Sequence, residues 1–443
     1  MPGRFFNTIV VASVLRAAVV TAASSGSFKL LSYNVAGLPD ILSSSDPSTN
    51  TPLISARLGP YTVINVEEDF NYHAALYASD SHTYRTATSG GVPFGSGLNT
   101  LSNFEIIDED RVKWNDCNLN DGDCLTPKGF MFMRLRTSDG TYFDLYNLHM
   151  DAGSDDGDRT ARKSNWAQVT AYAQAHSQGM PLIIMGDTNS RYSSDVDGTS
   201  VRTTVSTLGL TDAWVSLARG GAAPALGSTA LVCPFPFASG TNQSTMVACE
   251  TVDKVLVRAG STTSVFAPTA FTNENNAFLN SSGYPLSDHY PLATTISWTS
   301  SSSLVMGDSA GGPHGDVFSD LAAVSGARMT SFTVRGGDRV DAVSYVVGGT
   351  TLSHGGSGGT AVTLNVTGDP IVSLKLCTGK KDDTTRVFYL LATTKAGKTV
   401  QAGSTTSDCV TRSAPTTSWG LVGFWGRSGD EMDRLGPVWS ATP

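Results

Sequence analysis

The most constraining feature of this chain is the apolar run Pro-Leu-Ile-Ile-Met at 181–185, which ends abruptly in Gly-Asp-Thr-Asn at 186–189. The run is too short for a helix and is typical of a buried strand that carries polar groups at its carboxyl end. Four more polar clusters follow predicted strands: Ser-Tyr-Asn at 32–34, Glu-Glu-Asp at 67–69, Asn-Leu-His-Met-Asp at 147–151 and Ser-Asp-His-Tyr-Pro at 287–291. Together they predict a domain of α/β class in which the ends of several strands build one site.

The length of 443 residues exceeds what one hydrophobic core usually supports, about 250–300 residues, so we expect at least two domains. Charged residues make up only 16%, while glycine is plentiful, as in strand-rich and loop-rich extracellular proteins. The formal net charge of −9 argues against tight, nonspecific binding of a phosphate backbone. It does not exclude nucleic acid as a substrate, because a bound metal ion can supply positive charge.

Residues 1–23 predict a secretory signal peptide, because an early arginine precedes an apolar stretch that ends in small residues. Arg16 interrupts that stretch, and cleavage is expected near Ala22 or Ala23. No later stretch approaches the roughly 18 apolar residues of a membrane span. We therefore expect a secreted, extracellular protein without a transmembrane segment.

The six cysteines fall into three neighbouring pairs, and each pair would close a loop of moderate length. Other pairings remain open from sequence alone. Their spacing lacks the short knuckle typical of zinc sites, so disulfides are the favoured interpretation. The predicted pairs are Cys117 with Cys124, Cys233 with Cys249, and Cys377 with Cys409.

Periodicity divides the chain into two parts. Strands are predicted at 28–35, 62–66 and 142–148, and an amphipathic helix is predicted at 158–178, which indicates layered sheets covered by helices. A serine-rich run within 299–308 predicts a flexible linker. The remainder, 309–443, shows short alternating strands at 329–334 and 340–346 with frequent glycine turns, so an all-β domain is expected there.

The polar clusters of residues 24–298 offer the components of phosphate-ester hydrolysis. Asn34 and Glu68 provide the hard oxygen ligands that suit Mg²⁺ or Mn²⁺. Two imidazoles and several carboxylates could align a water molecule and handle protons, and an amide could stabilise charge on phosphate oxygens. These groups belong to His149, His289, Asp187, Asp253, Asp288 and Asn189.

Over residues 27–298 the chain resembles the endonuclease/exonuclease/phosphatase superfamily, which has the deoxyribonuclease I fold. The family's motifs occur in order: Ser-Tyr-Asn-Val at 32–35, Glu-Glu at 67–68, Asn-Leu-His at 147–149, Gly-Asp-Thr-Asn at 186–189, Val-Asp-Lys-Val at 252–255 and Ser-Asp-His-Tyr-Pro at 287–291. The resemblance implies a four-layer α/β sandwich and a Mg²⁺- or Mn²⁺-dependent phosphoric diester hydrolase.

The resemblance also implies how the metal is held. Asn34 and Glu68 would be its ligands, with Asp288 close to it. The sequence departs from the family pattern beside this set, because Glu67 stands where glutamine usually precedes the metal-binding glutamate. The additional carboxyl either adds negative charge near the metal or points away from it.

The catalytic roles implied by the resemblance fall to five residues. Asp187 would orient or activate the attacking water, and Asn189 would contact the scissile phosphate. His289, supported by Asp253, would act on the phosphate or its proton, while His149 would assist from the opposite side.

Within the superfamily, the chain looks similar to secreted neutral sphingomyelinases and to extracellular nucleases, so phospholipid and nucleic-acid diesters are comparable substrate candidates. Asn103 stands where many relatives carry an arginine, and Arg191 is a candidate replacement for that cation. An inositol-phosphate phosphatase is the alternative, disfavoured because no cluster of basic residues is visible to hold several phosphates.

The second part of the chain, about 305–440, resembles a jacalin-type lectin, an all-β protein with the β-prism fold. The resemblance rests on Gly-Gly-Pro at 311–313, His-Gly-Gly at 354–356 and the segment 423–436. It implies a sugar pocket formed by Gly312, Gly429, Asp430, Glu431, Met432 and Asp433. We expect this domain to bring the enzyme to cell-surface or cell-wall glycans, with peripheral membrane contact. The rival interpretations are a β-prism that binds nothing, and a glycan-binding protein whose first domain is inactive.

Overall fold

The structure is a computed structural model that describes residues 23–228, 231–260, 262–324 and 327–441. The predicted signal peptide, 1–23, lies outside the described residues except for Ala23. Within the described chain, no helix is both long and apolar enough to cross a bilayer.

Within the described residues, the first part of the chain contains twelve strands and six α-helices. The strands are β1 Ser25–Asn34, β2 Val63–Glu67, β3 Tyr84–Arg85, β4 Asn99–Ser102, β5 Glu105–Lys113, β6 Gly129–Arg136, β7 Tyr142–His149, β8 Leu182–Asp187, β9 Thr211–Asp212, β10 Asp253–Arg258, β11 Ser264–Asn273 and β12 Leu292–Ser300. The helices are α1 Pro47–Ser55, α2 His73–Ala78, α3 Asp156–His176, α4 Asp197–Leu208, α5 Ala213–Ala218 and α6 Gln243–Met246.

These strands form two six-stranded sheets, ordered β11-β12-β1-β2-β4-β3 and β5-β6-β7-β8-β10-β9. Each sheet contains one parallel pair, β1 with β2 and β7 with β8. Parallel neighbours direct their carboxyl ends to the same edge of a sheet. The residues that follow β1, β2, β7 and β8 can therefore meet at one edge of the domain.

The alternation of apolar residues along β1 explains the layering. Leu30 packs between the two sheets against residues such as Met133 and Ile183, whereas its neighbour Leu31 points outward toward α1 and α2. The outer face of the second sheet is covered by α3, α4 and α5, with Trp166 buried at the centre. The result is the four-layer α/β sandwich that the sequence predicts.

Helix α3 occupies nearly the predicted range. At its amino end the Asp158 carboxylate accepts the backbone N–H of Asp155 at 2.7 Å, which is one half of a capping box. The helix ends two residues earlier than predicted, at His176, and the chain then turns through Gly179 at φ +70°.

The second part of the chain is all-β within the described residues. Its strands are β13 Leu304–Met306, β14 Ala310–Gly311, β15 Asp316–Ser319, β16 Met329–Gly336, β17 Val340–Val347, β18 Thr350–Gly355, β19 Thr360–Asn365, β20 Ile371–Lys381, β21 Thr384–Thr394, β22 Thr399–Gly403, β23 Asp408–Ser413, β24 Gly420–Ser428 and β25 Met432–Ser440. They form three sheets, ordered β13-β25-β24-β15 with β14 against β25, β18-β17-β16-β19 and β22-β21-β20-β23. Three sheets around one apolar core constitute the predicted β-prism.

The expected flexible linker over 299–308 is largely ordered backbone. Strand β12 continues to Ser300, whose hydroxyl hydrogen-bonds to Ser24, and β13 already pairs with β25 of the second domain. Between these strands, Ser301 donates its backbone N–H to the Thr263 carbonyl at 2.6 Å. Serine-rich composition suggested flexibility, but serine is accommodated in a strand whose partners supply the hydrogen bonds. The domain boundaries at 298 and 309 remain a prediction.

The two domains share a buried contact. The Arg427 guanidinium lies 2.7 Å from Asp108 and 2.7 Å from Asp110, both on β5 of the first domain. Next to this ion pair the rings of Tyr142 and Trp425 lie 5.0 Å apart. Because Arg427 and Asp108 are almost fully buried, the contact fixes the domains against each other.

All three predicted disulfides are confirmed: Cys117–Cys124, Cys233–Cys249 and Cys377–Cys409.

Candidate active site

Strand register brings the predicted residues together. Asn34, the last residue of β1, is paired with Glu67 of β2. On the second sheet, Asp187 lies between His149 on one neighbouring strand and Asp253 on the other. The loop before β12 is attached by Ser287, whose hydroxyl donates to the Asn34 carbonyl at 2.6 Å.

The backbone before Asp187 requires glycine. Gly186 has φ +146°, and a Cβ atom at this position would lie 2.1 Å from the Leu148 carbonyl oxygen. The glycine thus lets β8 approach β7 closely enough to set Asp187 beside His149.

The predicted metal ligands Asn34 and Glu68 are in contact. The Nδ2 atom of Asn34 donates to Glu68 Oε1 at 3.1 Å and to Asp187 Oδ2 at 3.2 Å. Glu68 adopts φ +58°, a left-handed conformation that turns the chain directly after β2. Burial raises the pKa of Glu68, although Lys128 and the Asn34 hydrogen bond counteract this shift.

Asp288 lies at the margin of this group. Its carboxylate accepts the hydroxyl of Ser44, and its negative charge contributes to the raised pKa of Glu68. The position agrees with the expectation that Asp288 lies close to the metal site, and its role as a ligand stays a prediction.

Glu67 points into the protein rather than away from the site. It is fully buried, and neither carboxyl oxygen has a hydrogen-bond partner among the described residues. Burial and the nearby carboxylates of Asp253 and Asp187 raise its pKa well above the usual value. The neutral, protonated acid is therefore favoured, which resembles the uncharged glutamine that the family usually has here.

His289 is embedded among carboxylates. Its Nδ1 lies 3.1 Å from both carboxyl oxygens of Asp253, and its Nε2 lies 3.5 Å from Asp187 Oδ2. Burial lowers the pKa of His289, but Asp253 and Asp187 outweigh burial and raise the pKa well above its usual value. The geometry favours a doubly protonated imidazolium whose Nε2–H faces the centre of the site.

His149 has the opposite electrostatic environment. Burial and the nearby cations Lys128 and His289 lower its pKa well below the usual value, so the neutral imidazole is favoured. Its Nε2 lies 3.4 Å from the same Asp187 oxygen that His289 approaches. Trp114 holds the backbone of His149 by donating its indole N–H to the carbonyl at 2.7 Å.

Asn189 is fixed as a turn residue within the site. Its backbone N–H donates to Asp187 Oδ1 at 2.9 Å, and its Nδ2 donates to the Met150 carbonyl at 3.2 Å. The residue has φ +46°, a conformation that asparagine tolerates better than most residues. The turn places Asn189 directly beside Asp187, and its contact with phosphate stays a prediction.

Lys128 belongs to no sequence motif of the predicted site, yet it lies within it. The Lys128 ammonium forms an ion pair with Asp123 and lies 3.1 Å from His149 Nε2. It also lines a small cleft together with Lys113, Trp114, Asp123 and Asp151. No local pattern marked Lys128, which lies outside the loop closed by the Cys117–Cys124 disulfide and pairs with Asp123 inside it. The proposed substitute cation Arg191 stays a prediction.

The buried side chains fit a divalent cation. Glu68, Asp187 and Asp253 all lie within electrostatic range of Glu67. In the structure, the Asn34 amide donates to two of these carboxylates. Oxygen-rich clusters of this kind suit Mg²⁺ or Mn²⁺. Asp187, Asp253 and His289 also have potential ligand atoms within 4.8 Å of one another, but Nδ1 of this histidine is already occupied by Asp253.

The predicted sugar-binding residues form a second cluster in the β-prism. The backbone N–H of Gly312 donates to the Asp433 carbonyl at 2.8 Å, and that of Gly429 donates to Glu431 at 3.1 Å. The carboxylate of Asp433 is nearly buried, 3.2 Å from Arg386. The remaining predicted residues differ in orientation: Asp430 is exposed, Glu431 is held by Arg339, and Met432 is buried in the core, so that only its backbone is available.

The fold and the two sites define a two-domain class of protein. Residues 49–233 match the family described as Endonuclease/Exonuclease/phosphatase family 2, and residues 308–438 match the Jacalin-like lectin domain. The chain therefore carries an endonuclease/exonuclease/phosphatase domain followed by a jacalin-like lectin domain, which confirms both resemblances.

Individual relatives show where the similarity lies. A sphingomyelinase of Mycobacterium tuberculosis is 39% identical over 276 residues, which cover 60% of this chain and 52% of the relative. The chain thus spans about half the length of the curated relatives it matches. Among solved structures, beta toxin from Staphylococcus aureus with bound magnesium ions is 14% identical, with a TM-score of 0.41, over 61% of this chain and 99% of that chain. Malaysian banana lectin is 22% identical, with a TM-score of 0.27, over 30% of this chain and 96% of that chain.

Proposed function

We propose that this protein is a secreted, divalent-metal-dependent phosphodiester hydrolase that a lectin domain brings to glycan-bearing surfaces. The observation that carries the proposal is the connection of Asn34, Glu68, Asp187, His149 and His289 in one network of contacts at the strand ends. These residues are far apart in the sequence, so their proximity in the structure supports a shared chemical role.

Asn34 and Glu68 would hold Mg²⁺ or Mn²⁺ with Asp288 beside them, and the bound ion would supply positive charge for the phosphate oxygens. Asp187 accepts hydrogen bonds at the centre of the site and would align the attacking water. His289 carries a proton on Nε2 that it can give to the phosphate or the leaving group, and Asp253 keeps it charged.

The second imidazole would serve as a neutral hydrogen-bond partner. His149 is held uncharged by burial and by Lys128. Two histidines in opposite protonation states give the site both a proton donor and a neutral partner at one pH. Asn189 would add an amide donor for the scissile phosphate.

We propose a phospholipid such as sphingomyelin as the substrate, with nucleic acid as the alternative. The name of the mycobacterial relative, a sphingomyelinase, supports this order. The formal net charge of −9 is a further argument, because a strongly acidic chain disfavours a polyanion.

The lectin domain would bind glycans at the pocket around Gly312, Gly429 and Asp433. Asp433 Oδ1 is buried and lies 3.2 Å from the Arg386 guanidinium, so a sugar hydroxyl would have to share the carboxylate with that arginine. Loss of binding by the Asp433→Ala variant on an array of immobilised glycans would support this pocket. If the variant and the wild type bind the glycans equally well, another surface of the protein is responsible for the binding.

The substrate is tested with the purified chain and Mg²⁺ on sphingomyelin vesicles, plasmid DNA and inositol phosphates in parallel. We expect hydrolysis of sphingomyelin that EDTA abolishes. Preferential cleavage of DNA would favour the nuclease alternative, and phosphate release from inositol phosphates would favour a phosphatase. Inactivity on every substrate would favour a glycan-binding protein with an inactive first domain.

A further inference from the structure

The most exposed apolar side chains of the described residues are confined to three loops. Ile41 and Leu42 are 91% and 62% exposed, Phe94 is 83% exposed, and Leu119 and Leu125 are 82% and 68% exposed. The next most exposed large apolar residue, Val265, is 56% exposed. Isolated exposed apolar residues are ordinary on protein surfaces, but a set with extreme exposure in only three loops indicates a binding surface. We call the loops 37–45, 90–97 and 117–126 the rim loops.

The first rim loop is attached directly to the metal-binding group. Gly37 donates its backbone N–H to the Glu68 carbonyl at 3.0 Å. At the other end of the loop, the Ser44 hydroxyl donates to Asp288. Ile41 and Leu42 lie between these anchors, so their exposed side chains belong to a loop that contacts the active site near both of its ends.

The second rim loop is attached to the same segment. Gly97 accepts the backbone N–H of Asp69 at 2.9 Å, one residue beyond Glu68. Asn71, which follows, donates its backbone N–H to Gly37 of the first loop at 3.1 Å. Phe94 therefore projects from a loop that shares its anchoring segment with Ile41 and Leu42.

The third rim loop is attached to the histidine side of the site. Asp123 in this loop pairs with Lys128, which contacts His149. The Asp123 carboxylate also accepts the backbone N–H of Ala152 at 2.8 Å. The rim loops thus approach the site from both sheets, and each carries its apolar side chains outward while its base holds an active-site group.

We propose that the tips of the three rim loops insert into the surface of a phospholipid bilayer and thereby hold the active site against the membrane. This inference rests on the proposed function, because a lipid substrate must be reached in the bilayer. Separate apolar tips around a polar centre suit shallow insertion into the layer between head groups and acyl chains. A protein partner would more often be met by one contiguous apolar patch.

Charge identifies the kind of bilayer. The rim loops contain Asp40 and Asp121 but no lysine or arginine, and their third aspartate, Asp123, is buried in its ion pair with Lys128. Attraction to anionic lipids depends on clusters of basic residues near the surface. The rim loops therefore favour a zwitterionic surface, such as one rich in phosphocholine head groups, and binding depends little on salt.

The test measures partition of the full chain onto phosphatidylcholine vesicles that contain no glycolipid, so that the lectin domain has no sugar to bind. The variants are Ile41→Ser with Leu42→Ser, Phe94→Ser, and Leu119→Ser with Leu125→Ser. We expect each variant to bind roughly tenfold more weakly than the wild type, because apolar area leaves the interface. Val265→Ser is the matched control, since Val265 pairs with Thr299 at the opposite end of the sheet from Asn34. It should bind like the wild type.

A second measurement uses a substitution that keeps a large aromatic side chain in the loop. Phe94→Trp should show fluorescence that brominated phosphatidylcholine quenches, and Val265→Trp should add no quenched signal. The proposal is overturned if the serine variants partition like the wild type, if Phe94→Trp is not quenched, or if binding requires phosphatidylserine. It is also overturned if the wild type self-associates without binding vesicles and the serine variants lose that self-association.

One further measurement separates this inference from the proposed function. The wild type is assayed on a water-soluble, monomeric phosphodiester. If the wild type hydrolyses that substrate but the rim-loop variants bind vesicles normally, the membrane inference is wrong and the proposed hydrolase function stands. If vesicle binding depends on the rim loops but no phosphodiester is hydrolysed, the proposed function is wrong and the membrane inference is supported.

Discussion

The Nδ1 atom of His289 lies 3.1 Å from both carboxylate oxygens of Asp253, and this pair keeps a buried imidazole charged. Without the carboxylate, burial would favour the neutral ring. We therefore expect Asp253→Asn to lower the pKa of His289 and to reduce kcat, since the proton donor is then lost at neutral pH.

The size of the effect follows from the role of His289. Loss of one positioned proton donor costs about 10²–10⁴-fold in rate. His289→Ala should lose that much, and Asp253→Asn should lose part of it with an activity optimum shifted to lower pH. His314→Gln, an exposed histidine of the lectin domain, is the control. An Asp253→Asn variant with an unchanged pH profile would contradict the assigned role.

Lys128 is expected to contribute to activity although no motif includes it. Lys128 lowers the pKa of both His149 and Glu68, so Lys128→Met should raise both values. Removing one preorganised charged group should lower kcat by roughly 10²-fold. Titration of the histidine ring by NMR checks the first effect, and steady-state kinetics check the second. Lys163→Met, on the exposed face of α3, should change neither quantity.

Asp151 should make stability depend on pH. Burial raises the pKa of Asp151 from 3.8 to about 6. Because the folded value lies above the unfolded value, the ionised carboxyl opposes folding, and its cost grows as the pH rises from about 4 to about 6 and is constant above. Asp151→Asn should therefore stabilise the protein at pH 7.5 but not at pH 4.

The expected gain is about 1 kcal/mol in the free energy of unfolding, after a discount for solvent screening. Asparagine can still accept the backbone N–H of Asn118, which now donates to Asp151 at 2.7 Å. Chemical denaturation at the two pH values measures the difference. The surface variant Asp156→Asn should show no such dependence, and an equal effect of Asp151→Asn at both pH values would refute the electrostatic explanation.

Arg427 should hold the domains together. Removing one partner of a buried ion pair typically costs about 3–5 kcal/mol, because the other charge remains buried and unpaired. Arg427→Met leaves Asp108 paired with Arg434, 3.2 Å away, and removes the cation beside Asp110, so we expect a lower unfolding temperature and a cost no greater than the lower end of that range. Arg159→Met removes an exposed pair with Asp156 and should cost less than about 0.5 kcal/mol. Scanning calorimetry compares the two variants, and equal stability would show that the domain contact contributes little.

Much of the active site followed from the sequence, because strand ends are visible as apolar runs closed by polar residues. Asn34, His149 and Asp187 each end a strand, and strand register alone brings His149 beside Asp187. The helix α3 was equally visible through its periodicity and its glycine and proline stop signals.

Features that depend on tertiary contacts were not visible. Lys128 contacts His149 and also pairs with Asp123, which lies inside the loop closed by the Cys117–Cys124 disulfide. The direction of Glu67 was left open by the sequence, since the alternation of a strand does not tell which side faces other carboxylates. The hydrogen bonds of the serine-rich segment were not visible either, because Thr263 and Ser24, which supply the partners, lie far away in sequence.

The most direct test of the account is the rate of sphingomyelin hydrolysis by Glu68→Gln in the presence of Mg²⁺, with the exposed variant Glu109→Gln as its matched control. The account predicts that Glu68→Gln loses at least about 10²-fold in kcat/KM while Glu109→Gln keeps wild-type activity. Full turnover by Glu68→Gln, or hydrolysis that persists after EDTA treatment, would contradict the proposed metal-dependent site.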